Sequence, residues 1–61
     1  MTPADWLRAK ALEARNLADS LREMRAGEES NTGDWLALAA ASAERLAARL
    51  DHAAASLELE D

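Results

Sequence analysis

The 61-residue chain has no cysteine, phenylalanine, tyrosine, valine or isoleucine, and only one proline, one histidine and two glycines. Each scarcity closes a route. Without cysteine there are no disulfides and no thiolate metal sites. Strands draw on β-branched and aromatic residues, so a chain without Val, Ile, Phe or Tyr offers little to build a sheet from. The same gap removes most of the rings on which single-stranded nucleic acid stacks. No apolar run approaches the roughly 20 residues of a membrane span. The opening "MTPADWLRAK" carries an acid where a secretory leader would be apolar. The expected compartment is the cytoplasm, or the host cytoplasm for a phage-encoded chain.

What remains is dominated by Ala (16) and Leu (10), with two Met and two Trp. Ala and Leu are strong helix formers, so the expected class is all-α. A domain of this size hides only about 60% of its unfolded surface. Its core rarely supplies more than about 3–5 kcal/mol without staples or oligomerisation. Association is therefore expected.

The tripeptide Asp-Trp-Leu occurs twice, at 5–7 and at 34–36, and holds both tryptophans. Thr2 suits an N-cap and Pro3 the first helical position. Asp5 then falls where its carboxylate reaches back to the cap, and Met1 and Trp6 sit at staple positions. The first helix is expected over 3–26, with Gly27 as a left-handed terminator. "GEESNTG" (27–33) reads as the loop. A second helix is expected over about 32–57, with Asn31 or Thr32 at its cap, followed by an acidic tail at 58–61. Two helices of about 24 residues joined by a short loop form an antiparallel hairpin within one domain, 1–61.

Apolar residues follow steps of three and four. In the first helix they are Leu7, Ala14, Leu17, Leu21 and Met24, with Lys10 interrupting; in the second they are Leu36, Ala39, Ala43, Leu46, Leu50, Ala53 and Leu57. An offset of 29 maps one set onto the other. This is the pattern of helices packing at a shallow angle, and these residues are the expected oligomer core. Lys10 is expected to snorkel or to set register. Trp6 and Trp35 are expected to close the two ends of the hairpin, with partner anchoring as the alternative use of an indole. The second helix is apolar on several sides, which argues for dimerisation into a four-helix bundle. Leu12 and Leu38, away from the stripes, and the loop acids Glu28 and Glu29 are candidate partner-facing positions.

The formal net charge is −5. Acids and bases balance within the helical bodies, and the excess lies in Glu28, Glu29, Glu58, Glu60 and Asp61. That distribution supplies local steering rather than the extended acidic face of a duplex mimic. The arginines of the first helix are interleaved with acids, so nucleic-acid binding is poorly supported.

No catalytic, cofactor or metal constellation is expected. His52 and Ser56 sit at i, i+4 without a third group, and no phosphate-cradling motif is present. A two-helix hairpin also offers no enclosed pocket. In architecture alone the plan is similar to the small Rop-like RNA-binding dimers; their aromatic-and-lysine recognition face has no counterpart here. The expected function is a non-catalytic protein-interaction module working as a homo-oligomeric bundle that binds another protein. The alternatives are a small acidic inhibitor of a host nuclease complex, of the phage anti-defence or anti-CRISPR kind, and a Rop-like nucleic-acid-binding regulator.

Overall fold

The computed structural model describes residues 1–28 and 31–59. It contains two helices, α1 (Pro3–Ala26) and α2 (Asn31–Leu59), packed along each other as a hairpin. The Cα envelope is a slab of 49 × 16 × 9 Å. No described residue is in a strand.

The start of α1 follows its sequence. The Thr2 hydroxyl accepts from the Asp5 amide at 3.1 Å, and the Asp5 carboxylate accepts from the Thr2 amide at 3.3 Å. Two otherwise unpaired amides are thus satisfied reciprocally. At the other end Gly27 stops the helix in a conformation open to any residue, φ −93° and ψ 1°, rather than the expected left-handed one. Its amide donates to the Met24 carbonyl at 3.2 Å, and the Glu28 amide donates to Arg25 at 2.9 Å, so the last turn closes by tightening.

The loop is shorter than the expected 27–33, because α2 already begins at Asn31. Asn31 and Thr32 therefore belong to its first turn rather than to its cap, and the capping position falls outside the described residues. Gly33 is buried inside this turn. A Cβ there would meet the Glu28 carbonyl oxygen at 3.3 Å, so the missing side chain lets the loop close tightly on α2.

The seam between the helices is built from small residues. Ala11, Ala18, Ala47 and Ala54 are fully buried, and Ala4, Ala14, Ala40 and Ala43 nearly so. Leu50 packs beside Ala11, Ala14 and Ala47, and Leu21 beside Ala18, Ala40 and Ala43. Small side chains let two backbones approach closely, so dispersion contacts accumulate along the whole seam. No large side chain is fully buried.

The seam of the single hairpin takes only part of the expected oligomer core: Ala14 and Ala43 are buried, with Leu21 and Leu50 packed beside them. In each helix most of the inward-facing residues fall in three columns at heptad spacing, apolar but for Lys10. In α1 they are 4-11-18, 7-14-21 and 10-17-24; in α2 they are 33-40-47-54, 36-43-50-57 and 39-46-53. The sequence pattern alone suggests the second and third columns as the stripe. The hairpin buries the first and approaches the second, leaving Leu17, Met24, Leu46 and Ala39 exposed. An apolar stripe three columns wide exceeds what one neighbouring helix can cover, and the alanine column permits the closest approach.

Register is fixed on the other side of the seam. Arg8 pairs with Glu58, Arg15 with Asp51, and Arg22 with Glu44. The numbers in each pair sum to 66, but long side chains lean toward the N-terminus of their own helix; the buried alanine clusters place residue n of α1 level with about residue 61 − n of α2. Both sets recur every seven residues and keep step along antiparallel helices. Glu58 is thereby a helical ladder residue rather than part of a free acidic tail.

Candidate interaction face

The hairpin has two unlike flanks. In an antiparallel pair, positions displaced the same way around each helix emerge on the same side of the seam. One flank carries the three ion pairs. The other carries the third columns, with Leu17, Met24 and Leu46 at 54%, 59% and 51% exposure. Leu7, Leu21, Leu36 and Leu50 line the bottom of this flank, half-buried. Leu57 continues it toward the chain termini, 39% exposed.

Trp6 and Trp35 lie on the same apolar flank at opposite ends. Neither closes the hairpin end: Trp6 is half-exposed and Trp35 is 71% exposed. An alanine seam brings the helices too close to admit an indole between them, so both rings stay outside it. Lys10 is the one charged side chain among the third-column positions of the two helices. Its ammonium lies 5.4 Å from the Trp6 ring centroid and 3.2 Å from the Glu13 carboxylate. The stem is half-buried and the charged head stays in water, the expected snorkelling geometry.

The remaining candidate positions are dispersed. Leu12 and Leu38 are exposed, but Leu12 lies level with about Arg49 and Leu38 with about Glu23. That separates them by about 11 residues along the axis, roughly 16 Å at 1.5 Å per residue. They do not form one surface. Glu28 is exposed at the loop end, while Glu29, Glu60 and Asp61 lie outside the described residues. His52 and Ser56 are both exposed on α2. Among the described residues no cluster of His, Cys, Asp or Glu has the makings of a metal site, and no buried side-chain polar atom lacks a partner.

An open cleft of about 350 Å³ lies at the termini end, lined by Thr2 through Asp5, Arg8, Leu57 and Glu58. Arg8 there stands 3.9 Å from Asp5 and also pairs with Glu58, so its charge is already met by two acids.

Electrostatics concentrate in the ladder. The hydrogen bond from Arg22, then its charge, holds the Glu44 carboxyl below the usual range, and the reciprocal bond raises the Arg22 guanidinium. The two oppositely charged groups are 2.7 Å apart and open to solvent. Arg22 also reaches Asp19 at 3.7 Å. The heptad spacing of arginines 8, 15 and 22 against acids 44, 51 and 58 was readable in the sequence; pairing the two series would have selected the seam.

The hairpin exposes 4591 Å², where a compact monomer of 6.6 kDa would expose about 3900 Å². The excess of about 700 Å² goes with the extended 49 × 16 × 9 Å shape.

No described helix is long and apolar enough to cross a membrane. Comparison with protein-family models, with curated proteins and with solved structures returns no match to this chain.

Proposed function

We propose that this protein is a non-catalytic interaction module that works as a homo-oligomeric helical bundle, with the leucine flank of one hairpin covered by that of another. The observation that carries this reading is the contrast between the flanks: charge is spent within the hairpin on one side, and large apolar side chains stay open on the other. Packing two such slabs produces a four-helix bundle, the common way for helical hairpins to complete a core. A further protein partner would then meet the outer, polar faces.

Light scattering behind a sizing column tests the self-association. A mass near twice 6.6 kDa supports it, and a concentration-independent single-chain mass with full helicity rejects it. Capture from lysate on the immobilised protein tests the second part. Enrichment of one protein over a bait with Leu46→Glu supports a bundle-dependent partner; equal recovery on both baits rejects it.

A further inference from the structure

The 29-residue repeat and the alanine register together describe a symmetry. Residue n of α1 lies at level n, and its repeat mate n + 29 on α2 lies at about level 32 − n. Every such couple is centred near level 16. Leu17 with Leu46, Leu7 with Leu36, and Trp6 with Trp35 are couples of this kind. The apolar face thus carries an approximate two-fold axis normal to itself. A second copy can seat its leucines on this face with both loops at one end or with the loops at opposite ends.

The rim of the face breaks this tie. Trp6, Glu13 and Ser20 follow one another at heptad spacing along the outer edge of α1, and Trp35, Ser42, Arg49 and Ser56 along that of α2. Charge enters this rim only at Glu13 and Arg49, which stand near levels 13 and 12. They lie on opposite edges of the slab and do not pair within the chain. Glu13 takes Lys10 at 3.2 Å instead, and Arg49 pairs with no acid among the described residues.

A two-fold along the helices, with the loops together, keeps every residue at its own level and lays α1 on the second copy's α2. Glu13 then stands level with Arg49 of the second copy, and the two-fold makes this contact twice. Lys10 and Met24 lie over Ala53 and Ala39 of the second copy. With the loops apart, α1 lies on α1 and α2 on α2. Glu13 then faces Ser20, Arg49 faces Ser42, Lys10 lies against Met24, and Ala39 against Ala53. The first arrangement joins opposite charges at the seam's edge, where such pairs set orientation, and sets each long side chain over a small one. The second leaves Arg49 with a hydroxyl and stacks long on long and small on small.

Resting on the self-association proposed above, we infer that the partner on the leucine face is a second copy with both loops at the same end, specified by reciprocal contacts between Glu13 of each copy and Arg49 of the other. Leu17 meets Leu46 of the second copy at the centre of the interface, about one helical turn from the Glu13–Arg49 contacts.

Two charge reversals on the full chain test this, read by sedimentation equilibrium with helicity checked by circular dichroism. Glu13→Arg and Arg49→Glu each set like charges against each other at both contacts. Each variant alone should dimerise about fivefold more weakly than the wild type, the scale of two partly exposed ion pairs. An equimolar mixture of the two variants restores an opposite pair at both contacts and should recover most of the wild-type affinity. Variants that each associate as the wild type does, or a mixture no tighter than its components, with wild-type protein dimeric, overturn the orientation and leave self-association standing. A wild-type chain that never dimerises overturns both.

Discussion

The two flanks of the hairpin start from the same repeat and end in opposite states. On one side the repeat mates carry opposite charges: Arg15 and Arg22 of α1 are matched by Glu44 and Asp51, and the antiparallel register pairs these series across the seam. On the other side the repeat stayed apolar, with Leu17 matched by Leu46 and Trp6 by Trp35. Polar side chains on the first flank find partners within the chain. Apolar side chains on the second find none of adequate size, because the seam is already filled by alanine. The ladder runs in step with the alanine seam, and the leucine flank is left open.

The sharpest way to break the comparison is to destroy the seam that divides the flanks. Ala47 is fully buried there. Ala47→Leu inserts three carbons between closely packed backbones and should cost about 1–3 kcal/mol. That is a large share of a core worth about 3–5 kcal/mol. Urea unfolding followed by circular dichroism should show a lower midpoint and lost cooperativity; an unchanged midpoint would mean the seam is not close-packed.

A charge on the apolar flank should act on association first. Leu46→Glu removes two central leucines from a symmetric interface, each worth about 1.5–3 kcal/mol when fully buried. Dimer affinity should fall a hundredfold or more. The same substitution type on the far side, Leu12→Glu, should leave affinity within about twofold, since Leu12 lies off the apolar flank. Equal losses at the two positions would remove the distinction between the flanks.

The ladder should respond to pH more than to mutation. Glu44 is held below its ordinary value of 4.5 in the folded chain. A depressed carboxyl contributes stability that is present above the unfolded pKa and is lost as pH falls through the folded one. The thermal midpoint should therefore drop on acidification below about pH 4.5. Glu44→Gln should remove part of that dependence while lowering the neutral-pH midpoint by only about 2 °C, as expected of an exposed pair. A pH profile identical to wild type would show that Arg22 and Glu44 do not couple in solution. Gly27→Ala, outside both flanks, should stabilise slightly, by about 0.4–1 kcal/mol, because its backbone suits any residue and the nearest atom to an added Cβ is 3.8 Å away.

Local signals in the sequence were read well. The Thr2–Asp5 box, the break at Gly27 and the hairpin itself follow from capping chemistry, a missing Cβ and two equal helical patterns. The choice among three apolar columns was not readable from periodicity, since Ala and Leu score alike as apolar while packing at different distances. The spacing of Arg8, Arg15 and Arg22 against Glu44, Asp51 and Glu58 held that information, and counting net charge concealed it. The tryptophans stay outside the seam for the same reason: an indole fits between helices spaced by leucine and does not fit between helices spaced by alanine. Loop length was overestimated because Gly33 reads as a turn residue, whereas here it lets the first turn of α2 pack on the Glu28 carbonyl.

Sedimentation equilibrium of the wild-type chain across a hundredfold range of concentration, at neutral pH and moderate salt, tests the leucine flank as an interface most directly. The expected result is a reversible transition to twice the 6.6 kDa chain mass, with tryptophan emission moving to shorter wavelength as Trp6 and Trp35 are covered. A helical species that stays at 6.6 kDa throughout, with unshifted emission, would contradict it.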